Sequence, residues 1–217
     1  TEKLIGIDIK SAEQLLRAPG GAEVLGEAET RPLLAAYGIP VVGGGMARNP
    51  VEAATMAGKL GFPVVMKIVS PQILHKSDLG GICLNLKDEQ AVINAYERMF
   101  SDIHTKLPEA KLEGVLIEPM APQGREVIVG MKRDKGFGPV VMFGLGGIYV
   151  ELFKDVSFRI ALVSASEARE MILETQAGRL LTGFRGAPKA DLDAVVDCIQ
   201  RLGQMALDFP EIEEAEI

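Results

Sequence analysis

Lys67 is the first side chain whose setting suggests chemistry. It lies in the run Val64-Val65-Met66-Lys67-Ile68-Val69, which is otherwise apolar. An ammonium group in such a strand must reach an edge or meet an anion, because burial of an unpaired charge is costly. Two hypotheses follow. Lys67 is either a strand-edge lysine that discourages aggregation or a lysine that binds phosphate in a cleft.

A short segment after this strand brings several reactive side chains together. The residues from His75 to Gly81 include an imidazole, a cation, a hydroxyl, a carboxylate and two glycines. Neutral imidazole is a nucleophile near neutral pH, and paired glycines would let the segment move toward a phosphoryl group. The alternative is an ordinary solvated loop histidine. His104 falls at a predicted helix end, where it would complement the helix dipole, and receives no functional role.

A proline interrupts another predicted strand at Glu118-Pro119-Met120. The simple interpretation is a strand end. A break of this kind can also leave backbone amide and carbonyl groups unpaired, and the edge of an adenine ring could bind to them.

Two further features carry weaker signals. The cluster Gly144-Leu145-Gly146-Gly147 matches neither the dinucleotide-binding nor the Walker phosphate-loop spacing, and a hairpin turn explains it equally well. Arg159 falls opposite the apolar face of a predicted strand. It is either a surface arginine or a bidentate phosphate contact, and the sequence does not choose between these roles.

The composition restricts the class of protein. The chain has 217 residues, of which 47% are hydrophobic and 24% charged, as is typical of a globular protein. Its formal charge of −7 argues against a surface that coats nucleic acid. Cys83 and Cys198 are far apart in apolar settings, which indicates reduced thiols rather than a disulfide or zinc site. No signal-peptide pattern is found, and we expect a soluble, cytoplasmic protein.

The elements that must position these residues are predicted from periodicity and caps. Strands follow strands between residues 114 and 162, so strict β-α alternation fails, and two α+β lobes with antiparallel or mixed sheets are expected. The expected organisation is a leader over 1–22, a first lobe over 23–120 and a second lobe over 121–217. Helices are predicted near 23–37, 50–60, 89–103, 164–175 and 192–206. Strands are predicted near 41–47, 64–69, 82–86, 114–120, 126–132, 139–143, 149–153, 157–162 and 213–217.

Taken together, several blocks resemble the ATP-grasp domain of ADP-forming acyl-CoA synthetases, such as acetate–CoA ligase (ADP-forming). The resemblance runs in order over roughly residues 23–217, which makes it more specific than any isolated glycine motif. The blocks are Tyr37-Gly38-Ile39-Pro40, Gly61 to Ile73, His75-Lys76-Ser77-Asp78, Gly124 to Met131, Phe137-Gly138-Pro139 and Asp155 to Arg159.

The resemblance implies an ATP-grasp fold in which two α+β lobes enclose a nucleotide. It implies the reaction acyl-CoA + ADP + phosphate ⇌ carboxylate + CoA + ATP, with phosphate carried by a histidine. A CoA-binding synthetase module, as a separate subunit or part of a fused chain, would be the partner. ATP or ADP and Mg²⁺, or Mn²⁺, would be the cofactors, and neither nucleic acid nor a membrane would be a partner.

The resemblance also implies roles for individual residues. His75 would be the phosphoryl carrier, and Arg159 would contact the transferring phosphate. The nucleotide would be bound by residues of both lobes, with Lys67 and glycine backbone amides on the phosphates and the segment after the first lobe's last strand on adenine. The implied binding residues are Lys67, Glu118, Pro119, Met120, Glu126, Gly146 and Gly147.

The metal ligands depart from this pattern. In the family they lie in and just after a Glu/Asp-Ile-Asn-Pro strand, whereas this sequence ends at Glu216-Ile217. We therefore expect the principal ligands beyond Ile217, adjacent to Glu216. The expected consequence is a second lobe truncated before that strand is complete, with impaired magnesium binding and little turnover by the chain alone.

Two rival functions remain open. The first is a catalytically silent ATP-grasp regulatory module of a multidomain lysine acetyltransferase, which would not need the carrier His75. The second is a carboxylate–amine ligase with the same fold, which would not need the histidine segment either. The presence of His75 favours the acyl-CoA synthetase.

Overall fold

The structure, a computed structural model, describes residues 4–17, 24–73, 75–147 and 155–217. The chain divides into two compact units. One comprises Ile9–Ala36 and Pro40–Pro122 and is called the Lys67 unit here. The other comprises the described parts of Thr1–Asp8, Tyr37–Ile39 and Gln123–Ile217 and is called the Arg159 unit.

The Lys67 unit is built on a four-stranded antiparallel sheet in the order β1-β4-β2-β3. Helices α3 and α4 pack together, and alternate residues of β2 enter the same core: Val64, Met66 and Ile68 are fully buried. The period of two places Val65 and Lys67 on the opposite face. The strands are β1 (Gly45–Ala47), β2 (Val64–Val69), β3 (Ile82–Leu86) and β4 (Gly114–Pro119), and the helices are α1 (Ile9–Leu16), α2 (Glu27–Ala36), α3 (Pro50–Leu60) and α4 (Glu89–Lys106).

The Arg159 unit contains a second four-stranded antiparallel sheet in the order β7-β6-β5-β8. Helices α5 and α7 contact this sheet, and Phe143, Met171, Ile199 and Leu202 are among its buried side chains. Its strands are β5 (Val127–Asp134), β6 (Gly138–Leu145), β7 (Val156–Ile160) and β8 (Glu214–Glu216), and its helices are α5 (Ala165–Glu174), α6 (Gln176–Leu181) and α7 (Leu192–Asp208).

Helix caps that the sequence predicts are present. The Asn49 side chain accepts a hydrogen bond from the Glu52 N–H, and Asp88 accepts one from the Ala91 N–H. Ser164 and Glu167 form the predicted capping box at the start of α5. Each cap pairs backbone donors that have no partner within the helix, so these boundaries depend on local chemistry.

Some elements differ from the expectation. The first strand is shorter than predicted, at Gly45–Ala47, and α2 begins at Glu27. Helices α1 and α6 were not predicted. Helix α1 has eight residues, too few to be stable alone, and it buries Ala12 and contacts α2. The predicted strand over 149–153 lies outside the described residues.

Within the described residues, no helix combines the length and the apolar character needed to cross a membrane. The fold class is α+β, as predicted, and the sheets are antiparallel rather than mixed.

Candidate functional site

Lys67 lies on an interior strand of its sheet. Strand β2 pairs with β4 on one side and with β3 on the other, and Lys67 is opposite Leu116 and Ile82. The strand-edge hypothesis is therefore wrong, because a lysine on an interior strand cannot protect a sheet edge. Its ammonium group needs an anion instead.

Glu27 supplies one of these anions from helix α2. The Lys67 Nζ lies 2.6 Å from Glu27 Oε1, and the Lys76 Nζ lies 2.8 Å from Glu27 Oε2. One carboxylate therefore joins the middle of β2 to the residue that follows His75. Distances in this range are those of charge-assisted hydrogen bonds.

Glu118 supplies the second anion from strand β4. Its Oε2 lies 2.8 Å from the Lys67 Nζ, and its Oε1 pairs with the Arg31 guanidinium on α2. The Glu118 residue is only 7% exposed. A carboxylate buried to this extent is stable only when its charge is compensated, and Lys67 and Arg31 compensate it from two sides.

These five side chains, called the Lys67 network here, are Lys67, Lys76, Arg31, Glu27 and Glu118. Three are cations and two are carboxylates, so the network carries one net positive charge. Burial by itself would raise the pKa of Glu27, but the hydrogen bonds from Lys67 and Lys76 outweigh it and hold the pKa below its usual value. Glu27 is therefore ionised at neutral pH.

His75 lies on the segment that joins β2 to β3, in an exposed position. The next residue, Lys76, is fixed at both ends: its side chain bonds Glu27, and its carbonyl oxygen accepts the Gly81 N–H at 2.7 Å. A short 3₁₀ turn over Ser77–Leu79 follows. The structure thus presents His75 to solvent beside an anchored lysine.

The break after β4 is paired more fully than the sequence suggested. Strand β4 continues to Pro119, opposite Val64. The Met120 N–H donates to the Pro63 carbonyl oxygen at 3.2 Å. The proline break was expected to leave such backbone groups unpaired, but this amide has a partner. The hydrogen-bonding ladder between β2 and β4 extends one residue past the proline.

Glu126, Gly146 and Gly147 lie together in the Arg159 unit. The Gly146 N–H donates to the Glu126 carbonyl oxygen at 3.0 Å. A Cβ atom at Gly146 would lie 2.8 Å from backbone atoms of Glu126 and Val127, and one at Gly147 would lie 2.6 Å from the Glu126 carboxylate. Gly147 also has φ +70°, so both positions require glycine.

Arg159 is held within its own unit. It is opposite Val141 in the register between β7 and β6. Its guanidinium bonds Glu174 of α5 at 2.5 Å and the Ser157 hydroxyl at 3.2 Å. The hydrogen bond that Arg159 donates to Glu174 raises the pKa of Arg159, and the same bond lowers the pKa of Glu174.

Glu216, which the sequence analysis placed next to the expected metal ligands, is exposed on β8 and pairs with Gly130. Within the described ranges, no three side chains of the His, Cys, Asp or Glu type converge as a metal site would require.

The Lys67 network suits a phosphate group, because it offers a surplus of cationic donors.

Glu27, Arg31 and Lys76 were not predicted as site residues from the sequence. Glu27 is 40 residues from Lys67, and Lys76 is 49 residues from Glu27. Glu27 and Arg31 are four residues apart and therefore lie on one face of α2. That spacing was a usable signal for a shared helix face. The residues on the sheet with which this face pairs could not be identified from the sequence.

The structure therefore consists of two sheet-and-helix units, one of which carries a cationic cluster beside an exposed histidine. The ATP-grasp domain family matches residues 17–217. A beta subunit of acetate–CoA ligase (ADP-forming) I from Pyrococcus furiosus is 47% identical over 208 residues, which is 96% of this chain and 90% of that protein. This chain therefore belongs to the ATP-grasp domains of ADP-forming acyl-CoA synthetases.

A longer relative and two solved structures support the same family assignment. Acetate–CoA ligase (ADP-forming) I from Archaeoglobus fulgidus is 45% identical over 98% of this chain, which spans only 31% of that protein. An acetyl-CoA synthetase from Ca. Korarchaeum cryptofilum, solved with coenzyme A and Ca-AMPCP, gives a TM-score of 0.91 at 45% identity over 95% of this chain and 90% of that one. Another structure of that enzyme, at 43% identity and TM-score 0.81 with the same coverage, holds Mg-AMPPCP with its phosphohistidine segment pointing towards the nucleotide-binding site.

Proposed function

We propose that this chain is the nucleotide-binding part of an ADP-forming acyl-CoA synthetase and that it transfers a phosphoryl group between His75 and ADP. The overall reaction would be acyl-CoA + ADP + phosphate ⇌ carboxylate + CoA + ATP. The observation that carries the proposal is the Lys67 network. It gathers three cations around two carboxylates and ends at Lys76, the residue directly after His75.

The phosphoryl step needs cationic groups around the moving oxygens and alignment of donor and acceptor. In the direction of ATP synthesis, a terminal phosphate oxygen of ADP attacks the phosphorus carried by His75. The P–O bond forms as the P–N bond breaks, and the released imidazole nitrogen takes a proton from water. Lys67 and Lys76 would stabilise the charge on the phosphoryl oxygens, because each ammonium has more donors than its carboxylates use.

Other predicted residues keep proposed roles. Glu118, Pro119 and Met120 would contact adenine through backbone groups other than the Met120 N–H, which is already paired. Glu126, Gly146 and Gly147 would be further nucleotide contacts, a proposal supported by their mutual proximity. Arg159 would contact the transferring phosphate, for which it must exchange Glu174 for a phosphate oxygen.

The partner would be a CoA-binding module. Relatives occur as separate beta subunits and as single chains about three times as long, which supports an activity shared with a second module. We therefore expect no acyl-CoA turnover from this chain by itself. Mg²⁺ would accompany the nucleotide, as in the related complex, and would neutralise charge on its phosphates. The free thiols Cys83 and Cys198 fit a cytoplasmic location.

The test uses the complete enzyme, meaning this chain together with its CoA-binding module. Incubation with acetyl-CoA, ADP, magnesium and radiolabelled phosphate should give an acid-labile, base-stable phosphohistidine. Because that module can carry a phosphohistidine of its own, this chain is resolved or proteolysed away before the label is counted. The label on this chain should disappear in His75→Ala.

His104→Ala is the matched control, since His104 lies at the end of α4 and has no assigned role. It should retain the label. Absence of label from the wild type would contradict the proposal and favour the catalytically silent module. Label that persists in His75→Ala would move the carrier to another residue.

A further inference from the structure

Glu27 joins two lysines that the chain separates by nine positions. Lys67 lies in the middle of β2, whereas Lys76 follows His75 on the segment after that strand. The two oxygens of the Glu27 carboxylate take one lysine each, at 2.6 and 2.8 Å. The carboxylate itself belongs to a third element, α2, so three parts of the Lys67 unit meet at this one group.

The Lys76 backbone is fixed as well as its side chain. Its carbonyl oxygen accepts the Gly81 N–H, and the Gly81 carbonyl oxygen accepts the Ile68 N–H at 2.8 Å. A Cβ atom at Gly81 would lie 3.0 Å from the Lys76 oxygen, so the approach is close. His75 is therefore attached to a point held from both sides.

We propose that Glu27 is a positioning residue, whose carboxylate holds the ammonium groups of Lys67 and Lys76 together and so aligns His75 with the nucleotide phosphate bound at Lys67. The inference rests on the proposed phosphoryl transfer and adds a residue to it. Glu27 itself does not contact the phosphoryl group. It acts through Lys76 on the histidine and through Lys67 on the phosphate.

The donor count permits this arrangement. Each ammonium group has three N–H donors. Among the described residues, Lys67 gives one to Glu27 and one to Glu118, and Lys76 gives one to Glu27. Three donors are left for phosphate oxygens while both lysines stay bound to Glu27. The carboxylate need not be displaced when a nucleotide binds.

A placeholder role for Glu27 would predict a different effect of its removal on nucleotide affinity. If Glu27 were a placeholder that occupies the phosphate position, its removal would tighten nucleotide binding, because an anion would no longer compete. If Glu27 positions the lysines, its removal changes nucleotide affinity little, since Glu118 still holds Lys67. In that case removal of Glu27 lowers the rate of phosphoryl transfer, because small displacements of reacting groups raise the barrier of the reaction.

The experiment measures single-turnover transfer from radiolabelled ATP to His75 in the complete enzyme, together with ADP affinity by calorimetry. Glu27→Gln keeps the size of the side chain but replaces one acceptor oxygen by an NH₂ group that faces an ammonium. We expect the transfer rate to fall by about 10- to 100-fold and the ADP dissociation constant to change by less than about threefold.

Three further variants separate positioning from a general structural effect. Glu27→Asp keeps both acceptor oxygens and should recover part of the rate. The double variant Glu27→Gln/Lys76→Met should be at most slightly slower than Lys76→Met, because Lys76 carries the effect of Glu27 on His75 and only its effect through Lys67 is left. Glu29→Gln removes an exposed carboxylate from the same first turn of α2 and should match the wild type.

Each outcome is decisive. Label on His75 in the wild type with an unchanged rate in Glu27→Gln overturns the positioning role alone. Tighter ADP binding by Glu27→Gln also overturns it and assigns the placeholder role instead. Absence of label from every protein, wild type included, would refute the phosphoryl transfer itself and the inference with it.

Discussion

Lys67 and Arg159 are both strand cations paired with a glutamate from a helix, yet their surroundings differ. Lys67 shares two carboxylates with two other cations, which leaves a net positive charge. Arg159 pairs with Glu174 alone among the acids described, and Ser157 donates its hydroxyl proton to that same carboxylate at 2.6 Å. The first region has spare positive charge, whereas the second has none, because two further glutamates of α5 also act on Arg159 electrostatically.

This difference shows how similar pairs of a strand cation and a helix glutamate serve different purposes. A neutral pair on the side of a sheet that faces its helix mainly fixes α5 against β7. A network with surplus charge remains attractive to an anion even when all its members are paired. Anionic substrates should therefore bind first at Lys67, and Arg159 should contribute only after it leaves Glu174.

The largest expected effect is on stability, from Glu118→Ala. The substitution removes the shared acceptor of Lys67 and Arg31 and leaves both cations partly buried. We expect a loss of about 2–3 kcal/mol in the free energy of unfolding, measured by urea denaturation, less than for a fully buried pair because Lys67 is partly exposed.

The control is Glu214→Ala in the Arg159 unit, an exposed strand carboxylate that lies 3.3 Å from Lys132. Exposed pairs contribute little, so its change should stay within about 0.5 kcal/mol. Equal losses in the two variants would show that the Lys67 network is not the stronger one.

Nucleotide affinity should depend on Lys67 next. In Lys67→Met the ammonium is lost, and with it a charge-assisted contact to phosphate. We expect the ADP dissociation constant, measured by calorimetry, to rise by about 10- to 100-fold. Lys59→Met makes the same change at an exposed position in the last turn of α3 and should leave affinity unchanged. An unaltered constant in Lys67→Met would place the phosphates elsewhere.

Arg159→Met tests whether the second region contributes to phosphoryl transfer. Because the guanidinium must exchange one anion for another, its net contribution is small, and we expect about a three- to tenfold slower transfer to His75 with ADP affinity retained. Glu174→Gln, which weakens the competing bond, should not slow transfer. A rate equal to that of the wild type in Arg159→Met would confine this arginine to its structural pair.

The smallest expected effect is a pH dependence. The pKa of Glu27 is lowered in the folded protein, so its ion pairs add stability above the ordinary glutamate pKa, and this contribution is lost as pH falls through the lowered value. Melting temperatures measured from about pH 7 to about pH 3 should fall less steeply for Glu27→Gln than for the wild type, with the difference arising below the ordinary glutamate pKa. Glu29→Gln should follow the wild type; if it shares the shallower slope, Glu27 is not the titrating group.

Local chemistry made much of the fold predictable. Asn49, Asp88 and Ser164 fix helix starts through contacts three residues away, so their signals are complete within a short window. The buried strand at Val64–Val69 and its return at Ile82–Leu86 follow from apolar runs separated by a polar segment. Helix α6 was not predicted, although Thr175 is a local cap that accepts the Gly178 N–H; its first two N–H groups are bound by Asp155, about twenty residues earlier.

The candidate site was predictable in part. Lys67 was recognisable because a charge in an apolar strand requires a partner, and His75 because of its glycine-rich neighbourhood. The partner itself was not recognisable, since no local rule connects Glu27 to a strand 40 residues away. The expectation of unpaired backbone groups at the proline break failed at the Met120 N–H for the same reason: its acceptor, Pro63, is distant in sequence and directly precedes β2.

The sequence by itself determined the family, most of the order of helices and strands, and which side chains needed a partner. The tertiary structure alone decided who those partners are, because ion pairs form between groups that are close in space and the sheet and α2 bring distant residues together. It also decided the sign of the local charge, since the surplus at Lys67 is a sum over five side chains from different elements.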